Sequence, residues 1–347
     1  MSLRLNSNQM TDVVVVGAGL IGLAIALEVV DRGGKVTVVD RGLALGGASR
    51  AAAGMLAAED PGNPHELRAL SRLSVEEYPG FLQRIEALSG VAVPFQTQVA
   101  VQHLEDGSTM RMAEHSIDPR QLAEAVLAAV KATSIRLVEN AAVVSVEGNA
   151  GGSRVALSTG EGITTQAVVY AAGAWTSEVA MAVQGEAVPV TPRKGQMLRV
   201  RLPFVMDEVH RSERIYVVPR TRGPQAGTAL IGATVEDAGY DTSVRSSDLE
   251  GLRALAAELL PELASEVDAP MVEAWAGLRP ATPDGLPMLG AGSRAGRFIA
   301  TGHYRNGILL TPGTAVVMAD LLEGRVSQTD LSGMSPQRFA LSAMRSA

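Results

Sequence analysis

The 347-residue chain contains no cysteine. Disulfides, cysteine–zinc sites, thiol nucleophiles and any cofactor attached through sulfur are therefore excluded. A reducing compartment is compatible with this but does not follow from it. An excess of basic charge is lacking too: 30 Lys and Arg stand against 37 Asp and Glu, a formal net charge of −7. With no cluster of Lys and Arg there is no field for nucleic acid or an acidic membrane, and neither is expected as a partner. The uncharged stretch Val13 to Leu27 is too short to span a bilayer, and glycines interrupt it. The expectation is a cytoplasmic protein without an anchor, opened by a loose polar lead-in from Arg4 to Thr11. Internal repeats and low-complexity tracts are also missing. What is present is a globular composition, 46% hydrophobic and 19% charged, in a chain long enough for two domains.

The informative stretch is Asp12-Val-Val-Val-Val-Gly17-Ala-Gly19-Leu-Ile-Gly22-Leu-Ala-Ile-Ala26, followed by Lys35-Val-Thr-Val-Val-Asp40. A β-branched run enters a glycine turn, a run of small and aliphatic residues leaves it, and a second apolar run ends on a carboxylate. This predicts strand, tight turn, helix, strand. Gly17 permits the sharp turn, Gly19 lets backbone N–H groups approach a pyrophosphate, and Gly22 lets helix and strand pack closely. Asp40 can take ribose hydroxyls. A glycine triplet alone is a weak signal, but with both strands, the helix and the acid in place it predicts dinucleotide binding. The bland alternative is a βαβ unit without a ligand.

Downstream, helix one is expected from Leu20 to Asp31, stopped by Gly33-Gly34. Gly42 to Leu56 is built from small residues and lacks either periodicity, so its backbone can pass close over a planar ligand. His65 to Leu88 predicts a long amphipathic helix with a break at Pro79-Gly80, Val91 to His103 predicts strands, and Asp118-Pro119 starts a helix. Val188 to Val200, Ile215 to Pro219 and Ala229 to Ala233 predict a second, antiparallel sheet, because their connections are too short for crossover helices. Ser247 to Leu260 reads as a helix, Trp275 to Pro287 as a proline and glycine loop, and Pro312 to Glu323 as a helix capped by Thr311.

Five motifs occur in a particular order: the opening fingerprint, Ala51-Ala-Ala-Gly-Met-Leu56, Tyr170-Ala-Ala-Gly-Ala-Trp175, Gly277-Leu-Arg-Pro280 and Gly302-His-Tyr-Arg-Asn-Gly-Ile-Leu309. Together they resemble the D-amino-acid oxidase superfamily of FAD flavoproteins over nearly the whole chain. Within it, Gly232 to Tyr240 and the His303 loop are most similar to the glycine oxidases of thiamin biosynthesis. The resemblance implies an α/β architecture: a doubly wound, Rossmann-type FAD-binding domain from residues 1–80, 111–182 and 276–347, and an antiparallel-sheet substrate domain from 81–110 and 183–275. FAD would be bound without a covalent link. Gly17, Gly19, Leu20, Ile21 and Gly22 would lie at the pyrophosphate turn, and Asp40 and Arg41 at the ribose, where the family usually has Glu in place of Asp40. Ala48 and Ser49 would face the pyrophosphate, Ala53, Gly54 and Met55 the isoalloxazine, and Val143 the adenine, with Gly173 at a further turn of the site. His303, Tyr304, Arg305, Asn306, Gly307, Ile308 and Leu309 would hold the flavin pyrimidine at the N-terminus of the last helix, which stabilises an anion by about 0.3–2 kcal/mol.

For substrate, the resemblance puts Arg279 on a carboxylate, a role suited to a guanidinium that makes two parallel bonds and cannot deprotonate. Without the motif, a lone arginine reads as a surface ion pair. Tyr216 would supplement that contact, its plain reading being a half-buried strand aromatic, and Arg305 would touch flavin and substrate or brace its loop. No residue is assigned as acid or base, and His303 reads as a loop-ordering histidine. The implied reaction is hydride transfer from the substrate α-carbon to flavin N5, then hydrolysis to a keto acid and ammonia, with oxygen reduced to peroxide. Val235, placed in the pocket, leaves sarcosine, small D-amino acids and D-proline open beside glycine. The alternatives are a dehydrogenase serving a quinone or protein acceptor, an N-methyl amine oxidase, and a non-catalytic FAD-binding assembly subunit. A homo-oligomer is implied by resemblance alone, and no metal is expected.

Overall fold

The computed structural model describes residues 11–149, 151–184 and 187–339. Residues 4–10 of the expected polar lead-in lie outside them. In chain order, β1 (Thr11–Val16) enters the glycine turn, α1 (Leu20–Asp31) leaves it and β2 (Val36–Val39) follows. Next come α2 (Arg68–Ser89), β3 (Thr97–His103), β4 (Thr109–Ser116) and α3 (Pro119–Lys131). They are followed by β5 (Arg136–Val138), β6 (Val143–Asn149), β7 (Gly152–Leu157), β8 (Gly162–Tyr170) and α4 (Thr176–Gln184). The chain continues through β9 (Thr191–Arg201), β10 (Val209–Arg211), β11 (Tyr216–Arg220), β12 (Thr228–Gly232) and α5 (Ser246–Leu259). It closes with β13 (Met271–Ala281), β14 (Met288–Ala291), β15 (Arg297–Thr301) and α6 (Thr311–Leu322).

The first sheet runs β14-β15-β8-β1-β2-β5, with β7 antiparallel to β8 and β6 to β7. Strands β15, β8, β1, β2 and β5 are mutually parallel. The β1 run Val13 to Val16 is buried on both faces, as a central parallel strand must be. Val13 and Val15 pack with α1, α2, α3 and α6, while Val14 and Val16 pack with the β6–β7 arm and α4. Gly17 has φ +112°, and a Cβ there would fall 2.5 Å from the Ala171 carbonyl oxygen. A Cβ on Gly22 would fall 2.1 Å from the Gly17 carbonyl oxygen. Both glycines are thus required by the main chain itself.

The second sheet runs β13-β9-β12-β11-β10-β3-β4. It is mixed rather than antiparallel, since β10 pairs in parallel with β3. The argument from short connections holds for β9, β12 and β11, but β3 arrives from far upstream through a long crossover. Strand β13 corrects the loop expected from Trp275: it pairs with β9 without interruption from Glu273 through Ala281, and the loop begins only at Thr282. Pro280 is tolerated because β13 is the sheet's edge strand, where a missing donor breaks no ladder. Helix α2 likewise runs unbroken through Pro79. Pro79 and Gly80 are exposed, so the proline ring sits on the water-facing side of the helix, while Tyr78, Phe81, Leu82 and Ile85 stay in the core. Residues 91–96 form no strand; Pro94 interrupts them, and the Gln96 side chain accepts from Thr221 N and Arg222 N. Thr311 does not cap α6 but is its first residue, its hydroxyl donating to Gly307 O at 2.7 Å.

Strands β4 and β13 straddle the boundaries expected at 110 and 275, and α2, crossing residue 80, packs on α6 and α3. Among the described residues no helix is long and apolar enough to cross a membrane. The contact between Gly22 and Gly17 gives a direct test. Gly22→Ala should cost about 1–3 kcal/mol through overpacking, read as a lower unfolding midpoint of the apoprotein in urea.

Candidate active site between the two sheets

One cavity of about 640 Å³ lies where the sheets meet, within the range of cofactor and ligand sites, about 300–1,000 Å³. Gly17, Gly19, Leu20 and Ile21 line one end. Helix α1 has no acid in its first turn and no cap from Gly19; of its amides, Leu20 N is taken by Ser49 Oγ, and the positive end of its dipole faces the cavity. A Cβ on Gly19 would meet nothing nearer than Ser49 Oγ at 3.6 Å. Unlike Gly17 and Gly22, then, Gly19 is not demanded by the protein's own packing; it keeps a cradle open beside the helix N-terminus. Ser49 Oγ accepts from Leu20 N at 2.9 Å and Asp40 Oδ2 accepts from Ala18 N at 2.8 Å, which fixes both side chains at the turn. Asp40 Oδ1 accepts from Gly42 N, so the carboxylate is oriented by backbone on both oxygens. Arg41 lies 5.0 Å from the Trp175 ring centroid and 3.9 Å from Glu178, and Val143 and Gly173 complete this end.

The middle wall is the segment Ala51 to Met55. Its side chains are too small to anchor it, so its main chain is held instead. Trp275 Nε1 donates to Ala51 O at 3.1 Å, Arg220 Nη2 donates to Ala53 O at 2.8 Å, and Ile117 N donates to Gly54 O at 2.9 Å. A Cβ on Gly277 would fall 2.5 Å from the Ala51 Cβ, so segment and strand touch there. Burial draws the Arg220 guanidinium down to about 10, with Asp118 at 3.9 Å opposing the shift.

At the far end Arg279, Tyr216 and Arg305 come together in the lining. Arg279 Nη1 donates to Thr234 O at 3.1 Å and to Lys194 O at 3.4 Å, and its guanidinium lies flat on Gly195, where a Cβ would fall 2.3 Å from its nitrogens. The Tyr216 hydroxyl donates to Met197 Sδ at 3.2 Å. Burial raises the phenol's pKa, and the charges of Arg279 and Arg305 oppose the rise. Among the described lining residues the carboxylates are Asp40 and Glu178, both beside Arg41 at the opposite end. The cavity is therefore charge-polarised, with two uncompensated guanidinium groups where a small anion would sit.

A family model described as FAD dependent oxidoreductase (DAO) matches residues 12–116 and 104–321. The chain belongs to this family of FAD-dependent oxidoreductases. It is 35% identical to the bifunctional protein ThiO/ThiG of Trichormus variabilis over 94% of its own length, but spans only 55% of that relative. It is 31% identical to the glycine oxidase of Geobacillus kaustophilus, covering 94% of this chain and 97% of the relative. The crystal structure of glycine oxidase from Geobacillus kaustophilus superimposes with a TM-score of 0.88 at 28% identity, over 95% of this chain and 99% of that one.

The cavity fits FAD: the open cradle at Gly19 would take a pyrophosphate, the Asp40 carboxylate a ribose, and the thin wall Ala53–Met55 a flat ring system. Ala48, His303, Tyr304, Gly307 and Ile308 also line it. Gly22, Asn306 and Leu309 do not. Gly22 is used in packing, Asn306 Nδ2 donates to Asn63 Oδ1, and the Leu309 carbonyl accepts from Ser74 Oγ at 2.6 Å. Val235 is a correction: it is 60% exposed and lies outside the lining. Thr234 turns its hydroxyl inward to Gln196 N and Glu236, and alternation sends the next side chain out. Sequence reasoning missed Arg220, Trp275 and Lys194, since a single buried cation or indole in a strand carries no pattern.

His303 is buried, its Nε2 lies 3.1 Å from Thr314 Oγ1, and burial pulls its pKa down to about 3. It is a neutral imidazole in the folded protein. The unfolded chain takes up a proton below its ordinary 6.5 and the folded chain does not, so stability is lost as pH falls from 6.5 towards 3. Between pH 7 and pH 5 the loss from this residue should reach about 2 kcal/mol. Glu114, raised to about 7 by burial, works in the opposite sense. The measurement is therefore the difference between wild type and His303→Gln in denaturant unfolding of the apoprotein, and the variant should lack that share of the slope.

Proposed function

We propose that the chain oxidatively deaminates glycine or another small amino acid or amine, such as sarcosine or a small D-amino acid, using oxygen as acceptor. The products are a keto acid, hydrogen peroxide and ammonia, or methylamine in place of ammonia when the substrate is sarcosine. The observation that supports this reading is the pair of guanidinium groups, Arg279 and Arg305, beside the Tyr216 phenol in a cavity end without an opposing carboxylate among the described residues. That arrangement selects a small carboxylate. The parallel-sheet unit would carry the cofactor and the seven-stranded sheet the substrate.

When bound, FAD supplies the acceptor for the two electrons and hydrogen removed from the substrate. The chain supplies position. Arg279 offers parallel N–H donors to the two carboxylate oxygens, and its existing bonds to Thr234 O and Lys194 O fix its plane before substrate arrives. The Tyr216 hydroxyl can turn from Met197 sulfur, a weak acceptor, to the carboxylate at little loss. Around the α-carbon the lining is Ala53, Met55, Met197 and Ile308, an apolar surround that favours the amine in its neutral form. A neutral amine needs no base to release the α-hydrogen with its electron pair. His303 is unsuited to that role, since burial disfavours its protonated form and its Nε2 is engaged with Thr314. Water then hydrolyses the imino acid.

The test is an anaerobic titration of the FAD-loaded protein with glycine, followed by air. The flavin band should bleach, and air should restore it with release of peroxide. A flavin band that ignores glycine but bleaches with D-alanine or sarcosine would reassign the substrate. Arg279→Met should raise KM about 30-fold or more, the effect of removing about 2–5 kcal/mol of paired charge, while FAD content stays that of wild type. Unchanged KM in that variant would remove Arg279 from the site.

A further inference from the structure

The segment from Ala233 to Arg245, which joins β12 to α5, runs as a strap across the Arg279 end of the cavity. Thr234 and Glu236 pair with β9: Lys194 N donates to Glu236 O and Glu236 N to Lys194 O, both at 3.0 Å, and Thr234 N donates to Gln196 O at 3.3 Å. Side chains lock the same crossing. Gln196 N donates to Thr234 Oγ1 at 2.8 Å, Gln196 Nε2 donates to Glu236 Oε1 at 2.8 Å, and Gln196 Oε1 accepts from Arg245 N at 2.8 Å. Further along, Tyr240 stacks on Trp175 at 5.6 Å between centroids, so the strap also leans on the cofactor end.

Lys194 stands out in this crossing. Its side chain is 0% exposed although it projects from the middle of a strand. A buried ammonium must be paired, and both its partners come from the strap: Asp241 Oδ2 at 2.9 Å and Glu236 Oε2 at 3.6 Å. Both main-chain acceptors of Arg279, Thr234 O and Lys194 O, lie where the strap crosses β9. One acceptor belongs to the strap and the other to β9, and Gly195 supplies the surface between them. The plane of the guanidinium is therefore set by where the strap sits on β9. Lys194 is the buried charge that holds it there, beside the exposed pair of Arg193 and Asp237 at 3.0 Å.

We propose that Lys194 is a positioning residue for substrate carboxylate recognition, acting through the strap Ala233 to Arg245 on Arg279. The inference rests on Arg279 as the carboxylate-binding group. Without the ammonium, Glu236 and Asp241 face each other uncompensated, the strap shifts, and Arg279 loses the Thr234 acceptor that fixes its fork. Lys194 touches neither cofactor nor substrate, so its loss should weaken carboxylate binding and leave the chemical step nearly intact.

The experiment uses FAD-loaded protein and acetate as the carboxylate probe, with affinity read by calorimetry and by perturbation of the flavin spectrum. Lys194→Met should weaken acetate tenfold or more and raise KM for the amino-acid substrate in parallel, with kcat within threefold of wild type. Lys194→Arg should restore most of the affinity. Asp241→Asn, at a side chain 40% exposed, should weaken acetate three- to tenfold and decides the matter should Lys194→Met not fold. Acetate bound as in wild type by Lys194→Met or Asp241→Asn, while Arg279→Met loses it, overturns the role of Lys194 alone. Acetate bound as in wild type by Arg279→Met overturns the assignment of Arg279 beneath it. A fall in kcat as large as the rise in KM, unrescued by arginine, would show general damage and also overturn the proposal.

Discussion

The site depends on a stretch of main chain that cannot hold itself. From Ala51 to Met55 the side chains are mostly too small to anchor anything, yet this segment forms the wall between cofactor and second sheet. Its order is imposed by donors from elsewhere: the Trp275 indole, the Arg220 guanidinium and the Ile117 amide each take one of its carbonyls. A thin wall lets a planar group lie close to the backbone, and the same thinness removes the side chains that would otherwise pack the segment in place. Polar anchoring replaces apolar packing, which is why buried arginines gather at this junction. Arg220 stays buried with its guanidinium between the Ala53 carbonyl and the Asp118 carboxylate, which offset part of the cost of its burial.

Electrostatics divide the cavity. Backbone amides, the dipole of α1, Asp40 and the Arg41–Glu178 pair form one end, a mixed polar surface suited to a pyrophosphate and a ribose. At the other end Arg279 and Arg305 meet Tyr216 with apolar side chains around them. Low dielectric strengthens the attraction of a fixed guanidinium for a carboxylate, and it penalises a charged amine at the adjacent carbon. On the proposed reading, one arrangement would serve both substrate affinity and substrate protonation without a dedicated base.

Local physics was legible where it decided the outcome. The β1–turn–α1–β2 unit follows from β-branched runs and glycines, and α3 follows from Asp118 and Pro119, whose carboxylate and ring occupy the N-cap and first turn as expected. The fold class and the FAD family followed from motif order. Tertiary effects were not legible. Pro79 is harmless because that turn of α2 faces water, and Pro280 because β13 is an edge; neither exposure nor edge position is written in the residues nearby. The parallel pairing of β10 with β3 joins segments more than a hundred residues apart. Val235 was misplaced because an alignment of motifs does not register which way one strap residue turns. Lys194 and Arg220 look in sequence like any basic residue on a strand, and only burial separates them.

Gly277 and Ala51 press together where strand and wall meet, with no room for a further carbon. One lines the wall under the cofactor, and the other sits two residues from Arg279 on the same strand. A methyl group added to either would push β13 away from the wall and carry Arg279 with it, so the distance between Arg279 and the wall is set by the combined volume of this pair. Either residue can grow only if the other shrinks, so the two act as a single shim between strand and wall.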